Sequence, residues 1–199
     1  MSAHIILASG SEIRAQLLRN AGIDIDQIPA KVDEASIKAS LLAEAASPRD
    51  IADALAEAKA RKVSGKHPDA LVLGCDQVLD FNGKILSKPK SAEEALTQLS
   101  EMRGKRHMLL SAAVIYRAGE PIWRHVGQVR LQMRQCSDDY LQAYVARNWD
   151  SIRHCVGAYK LEEEGVRLFT NIEGSYFNVL GLPLLELINY LGLQGAIEQ

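Results

Sequence analysis

Apolar and polar positions along the chain divide it into short strands and amphipathic helices. An apolar run at residues 5–8 has strand length; Ser9-Gly10-Ser11 follows, and then Ile13, Leu17, Leu18 and Ala21 recur at helical spacing before Gly22, a C-terminal stop. The unit predicted is strand, tight turn, helix. A second strand is expected over residues 23–30, followed by a polar turn holding Asp33 and Glu34. Ser47-Pro48 supplies an N-cap and a first-turn proline for a long helix ending at Gly65, with Ile51, Ala54, Leu55, Ala58 and Lys62 expected to share a face.

Residues 70–74 read as a short buried strand, and Asn82-Gly83 between two β-compatible segments is a strong hairpin signal. Ser91 and Glu94 have capping-box spacing for a helix through Met102, stopped by Gly104. Two long β-type segments, 106–116 and 122–132, flank a turn at residues 118–121. Ser137-Asp138-Asp139 caps a helix toward Asn148, residues 166–172 read as a strand, and Pro183 opens a final helix ending at Gly192. Helices and strands alternate while hairpins intrude, so the expected fold class is α/β with a mixed, twisted β-sheet and flanking helices. Without repeats or a linker-like tract, residues 1–199 are expected to form a single domain.

Composition narrows the function classes. The chain has 199 residues, 47% of them hydrophobic, enough for a real core. Its 23 basic and 25 acidic side chains leave a formal charge of −2, so no global basic field favours nucleic acid, and an anionic ligand needs a local cluster. Cys75, Cys136 and Cys155 are odd in number and far apart, which argues against a disulfide framework and for a reducing compartment. The five histidines, His4, His67, His107, His125 and His154, show no zinc-ligand spacing with the cysteines. The N-terminal apolar run is too short for a signal segment and no run has membrane-span length, so a cytoplasmic protein with no membrane partner is expected.

Several residues could carry chemistry. A strand ending in Ser9-Gly10-Ser11 and turning into a helix offers backbone N–H groups, hydroxyls and a positive helix end to a phosphate, with Arg14 one turn inside. The same arrangement equally describes an ordinary serine-capped helix with a solvated arginine. Asp76, just past the expected 70–74 strand, stands where buried sheet meets surface and could hold a divalent ion or take a proton from water; it could equally cap a strand end. Glu34 is a second candidate carboxylate in a polar turn. Lys59, on a helix edge, and Lys88, held before Pro89, would suit the spreading charge of a phosphoryl transition state if they converge on Asp76.

Together these segments resemble the Maf family of nucleoside triphosphate pyrophosphatases, in order along nearly the whole chain. The stretches are Leu7-Ala8-Ser9-Gly10-Ser11, Val32-Asp33-Glu34, residues 55–60, Gly74-Cys75-Asp76-Gln77, residues 83–89, Gly157-Ala158-Tyr159, residues 172–175 and residues 178–184. The resemblance implies an inosine triphosphate pyrophosphatase-like fold and hydrolysis of a nucleoside triphosphate between the α and β phosphates, giving a monophosphate and pyrophosphate. It implies a divalent metal ion (magnesium, manganese or cobalt), held by Asp76 and Glu34, and a homodimer. It makes Asp76 the proton acceptor, Glu34, Lys59 and Lys88 its catalytic company, and Ser9, Ser11 and Arg14 phosphate-binding residues.

The chain also departs from the family pattern. Most members carry Ser-Pro-Arg-Arg where this one has Ser11-Glu12-Ile13-Arg14, so an arginine at a position linked with base selection is replaced by Ile13. The pyrimidine-preferring branch has threonine after the aspartate and a later Ile-Gln-Gly loop, where this chain has Gln77 and Glu162. Those two residues resemble the branch acting on 7-methyl-GTP. A carboxylate can accept both the ring N–H and the exocyclic amine of a guanine edge, so Glu162 is expected to favour a guanine-type base; the alternative is a solvated acidic turn with Glu163 and Glu164. A cationic methylated base would want an aromatic face, and Trp123 and Trp149 are the candidates considered to replace the tryptophan that branch carries at Ile13. Two other functions stay open: a nucleotidyltransferase, which would need an acceptor other than water, and a nucleotide-binding regulator of cell division without turnover.

Overall fold

The computed structural model describes residues 3–198. In chain order its elements are β1 (Ile5–Leu7), α1 (Glu12–Asn20), β2 (Asp26–Gln27), α2 (Glu34–Ala43), α3 (Pro48–Ser64), β3 (Leu71–Phe81), β4 (Lys84–Leu86) and α4 (Ala92–Met102). There follow β5 (Arg106–Arg117), β6 (Glu120–Met133), α5 (Asp138–Ile152), two 3-10 turns, β7 (Phe169–Glu173), the single-turn α6 (Tyr176–Val179) and α7 (Leu184–Leu193). Seven strands form one sheet in the order β2-β1-β3-β5-β6-β7, with β4 also paired to β3. β1 is parallel to β2 and β3; all other pairings are antiparallel, giving the expected mixed sheet. No described helix is long and apolar enough to cross a membrane.

The central strand explains where the sheet opens. β3 pairs with β5 from Val72 to Asp80, but its other edge is shared: β1 covers Leu71 to Leu73, and β4 covers Leu79 to Phe81. Residues 74–78 therefore have an unpaired edge in the middle of the sheet. β3 is longer than the 70–74 strand expected from the sequence because Asp76 and Asp80 interrupt its apolar pattern while both remain buried. Asp80 Oδ1 accepts from the Gly83 backbone N–H at 2.7 Å, and Asn82 and Gly83 take positive φ (54° and 83°), forming the expected hairpin turn.

Side chains alternate across β3. Leu71, Leu73 and Cys75 pack under α1 and α7, whereas Val72 and Val78 face the α3 side with Ile51, Leu55 and Ala60. Gly74 and Asp76 fall on the α3 face by the same alternation. A third apolar cluster, built around Leu79, Leu99, Leu109, Leu131 and Tyr144, fills the far end under α4 and α5.

Several sequence expectations need correction. The 23–30 strand contracts to two residues of β2. The polar turn at Asp33-Glu34 is the start of α2: Asp33 caps it, accepting from Ser36 N at 3.0 Å, and the helix escaped the periodicity because it buries no residue. On α3 the buried stripe includes Ile51, Ala52, Leu55, Ala56, Lys59, Ala60 and Val63, so Lys59 lies inside the face and Lys62 is exposed. Residues 164–168 coil into a 3-10 turn before β7, and the short α6 left no periodic signal. The α4 cap forms, but Glu94 accepts from Lys90 N rather than completing the box with Ser91.

Candidate active site

The site grows from the unpaired edge of β3. An added Cβ on Gly74 would lie 2.1 Å from the Ala56 carbonyl oxygen and 2.6 Å from Ala60 N, so only glycine lets α3 come this close. That contact seats Lys59 over Asp76. Lys59 Nζ donates to Asp76 Oδ1 at 2.6 Å and reaches Glu34 Oε1, at the first turn of α2, at 2.9 Å. Lys59 and Asp76 are buried, whereas the Glu34 side chain is half exposed. Burial pushes the Asp76 pKa up; the charges of Lys59 and Arg14 oppose this, and Glu34 reinforces it.

Across the gap stands the turn between β1 and α1. Ser9 Oγ accepts from Ser11 N and from Arg14 Nη1, both at 3.3 Å, and Gln27 Nε2 donates to the Ser9 carbonyl at 3.0 Å. Ser11 is the N-cap of α1 without a side-chain cap bond, which leaves its hydroxyl unspent. Arg14 also donates to the Cys75 carbonyl at 3.1 Å and, through Nε, to the Gly181 carbonyl at 2.8 Å, pinning the turn to β3 and to the segment after α6. Gly181 has φ +92°, and an added Cβ would sit 2.9 Å from the Arg14 guanidinium.

On the opposite face of β3, Gln77 is paired with Ser111 on β5, itself opposite Gly127 on β6. This row receives α6. Gln77 Nε2 donates to Ser111 Oγ (3.0 Å), the Asn178 carbonyl (2.9 Å) and the Val179 carbonyl (3.0 Å), while the Asn178 side chain fills the space a Cβ on Gly127 would need. The amide nitrogen is spent on the protein, and the Gln77 oxygen has no partner among the described residues.

These groups line one cleft of about 870 Å³, a size suited to a nucleotide-scale ligand. Ser9, Ser11, Ile13, Arg14, Glu34, Lys59, Asp76, Gln77, Lys88 and Glu162 all border it, so the structure brings the sequence candidates together. Lys88 and Glu162 are exposed on its rim, and Ile13 is half-buried against the α1 core. Trp123 and Trp149 do not border it: Trp123 stacks on Tyr190 with centroids 5.3 Å apart, and Arg153 covers Trp149 at 5.5 Å. Lys38 carries no sequence signal, because α2 buries no residue and shows no apolar stripe; it lines the same cleft and donates to Ser87 Oγ at 2.7 Å.

The donor chemistry fits a hard divalent cation in a particular way. Among the described residues no cluster of three or more His, Cys, Asp or Glu side chains is arranged to hold a metal ion. Asp76 and Glu34 nonetheless both reach the Lys59 ammonium, which brings the two carboxylates near each other, and a magnesium-type ion commonly takes only one or two protein carboxylates, with phosphate oxygens and water completing its shell.

A mixed α/β sheet that opens beside a buried aspartate–lysine pair, facing a serine-glycine turn at a helix N-terminus, defines an α/β protein with an anion-binding cleft. Residues 4–193 match the family described as Maf-like protein. Full-length relatives include the nucleoside triphosphate pyrophosphatases of Ruegeria sp. (strain TM1040), 74% identical, and Ruegeria pomeroyi, 69% identical, each covering 100% of both chains. The 7-methyl-GTP pyrophosphatase of Mesorhizobium japonicum is 45% identical over 100% of both chains. The chain belongs to the Maf family.

Proposed function

We propose that this chain is a nucleoside triphosphate pyrophosphatase, a hydrolase of acid anhydrides that cleaves the α–β phosphate bond to release a nucleoside monophosphate and pyrophosphate. The observation that carries the reading is the Asp76–Lys59–Glu34 arrangement at the opened edge of β3, facing the Ser9–Ser11 turn across one cleft. Its full-length relatives at 74% and 69% identity bear that name.

In this reading Asp76 holds the attacking water and takes its proton. Burial raises its pKa, which makes the carboxylate a stronger base than an exposed aspartate, and the Lys59 ammonium beside it favours the ionised form. Lys59 fixes its orientation. The N-terminus of α1, the unspent Ser11 hydroxyl and the exposed Lys88 receive phosphate oxygens, and Arg14 holds the turn in shape. A divalent cation (magnesium, manganese or cobalt), held by Asp76 and Glu34 together with the phosphates, would supply charge neutralisation at the reacting phosphorus.

Glu162 and the Gln77 side-chain oxygen, which also border the cleft, are both hydrogen-bond acceptors, a chemistry suited to the N–H-rich edge of guanine. The substrate class proposed is therefore a guanine-type triphosphate, 7-methyl-GTP among them, handled by a cytoplasmic homodimer. The test is pyrophosphate release with water as the only acceptor. Asp76→Asn should lower turnover by about 10²–10⁴-fold while nucleotide still binds; near-normal turnover sinks the assignment, and turnover that requires an alcohol or sugar phosphate acceptor points to nucleotidyl transfer instead.

A further inference from the structure

The cleft must neutralise a highly charged triphosphate, and its cations are not equally free to do so. Lys59 is held between Asp76 at 2.6 Å and Glu34 at 2.9 Å, so that triad is net negative and offers no attraction to a phosphate. Two nitrogens of Arg14 are spent on the Gly181 and Cys75 carbonyls and on Ser9. Lys160 is paired with Glu163 at 3.1 Å.

Among the described residues, Lys38 differs from Lys59 and Lys160 in pairing with no carboxylate, and from Arg14 in making a single hydrogen bond. It lies one helical turn beyond Glu34 on α2, lines the cleft, and has no carboxylate within ion-pair distance among the described residues; its ammonium donates only to the neutral Ser87 hydroxyl at 2.7 Å. Ser87 immediately precedes Lys88, so the bond spans the cleft from α2 to the loop that carries the second uncommitted lysine. Partial burial lowers the Lys38 pKa, opposed by the Asp76 charge, so this ammonium has lost water without gaining a counter-ion. An ammonium has three donors, and Ser87 uses one.

We propose that Lys38 is a substrate-binding residue: with Lys88 on the facing wall it grips the phosphates that leave as pyrophosphate, and the Lys38–Ser87 bond is its resting contact. The proposal rests on the pyrophosphatase reading above and adds a residue to it.

The experiment measures binding of inorganic triphosphate and of α,β-methylene-GTP, each with magnesium, by calorimetry, alongside kcat and KM. The proteins compared are wild type, Lys38→Gln, Lys38→Arg and the charge-matched control Lys62→Gln on the exposed face of α3. Loss of one charge-assisted hydrogen bond predicts that Lys38→Gln weakens both ligands by about 10- to 100-fold and raises KM more than it lowers kcat. Lys38→Arg should recover much of the affinity, and Lys62→Gln should match wild type. Binding by Lys38→Gln within about twofold of wild type, or equal weakening by Lys62→Gln, overturns the proposal, since a factor of two is well below the contact's expected contribution. If wild type binds neither ligand and releases no pyrophosphate, the pyrophosphatase reading itself fails and takes Lys38 with it; wild-type turnover with an indifferent Lys38 removes only the latter.

Discussion

Lys59 shows how one side chain sets the state of its neighbours. Its side chain is 9% exposed and that of Asp76 is 11%, so each charge depends on the other for solvation. Lys59→Met leaves Asp76 buried beside Glu34 without compensation, and breaking a buried pair in this way costs about 3–5 kcal/mol near neutral pH. The sign with pH is definite. The Asp76 pKa, already raised by burial, rises further in the variant, so the penalty is present above that folded value and disappears below the unfolded one, where the carboxyl is neutral in both states. Urea unfolding of the variant and wild type should therefore converge on acidification; a constant gap would contradict this account. On the rim of the cleft, Glu162→Gln replaces a two-oxygen acceptor with an amide that offers one acceptor and one donor, so preference for guanine over other bases should shrink in a substrate panel scored by pyrophosphate release.

The same dependence appears between α3 and β3, which meet at Gly74. A methyl group there would collide with backbone atoms of Ala56 and Ala60, and helix backbone cannot rotate aside as a side chain does. Gly74→Ala should therefore push α3 outward, destabilise the protein by about 1–3 kcal/mol and draw Lys59 away from Asp76, lowering kcat as well as the melting temperature. Loss of stability with unchanged kcat would show that the helix is not what positions Lys59. Gly127 is the analogous contact on the other side of the sheet, but it meets the Asn178 side chain, so a substitution there disturbs the seat of α6 and, through the Asn178 and Val179 carbonyls, Gln77.

Stability of the whole molecule carries a pH signature from its interior. His107 is 2% exposed in the core beneath α4 and α5, its Nε2 is 2.8 Å from the Tyr159 hydroxyl, and its Nδ1 has no partner among the described residues. Burial pulls its pKa from 6.5 down to about 4. The unfolded chain therefore binds more protons between those values, and the stability conferred by neutral His107 is fully present above about 6.5 and lost as the pH falls toward about 4, up to about 3 kcal/mol in all. Chemical denaturation across this window should show the decline, and His107→Gln, which keeps a partner for Tyr159 but does not titrate, should flatten it.

Most of the element list and the chemical cast are legible in the amino-acid pattern alone. Helical stripes and caps mark α1, α3, α4, α5 and α7, Asn82-Gly83 marks the hairpin, and the ordered motifs single out Glu34, Lys59, Asp76 and Lys88. Periodicity reports which face of an element is apolar, so it was silent where no face is buried, as in α2, and misleading where polar groups are buried by partners, as at Asp76 and Asp80. Long-range packing alone sets the gap that β1 and β4 leave along β3, puts Lys59 inside its helix face, keeps Trp123 and Trp149 off the cleft, and brings Lys38 to its border. Each of these depends on which distant segments pair or pack, and local pattern along the chain carries no record of an edge left open by strands far apart in sequence.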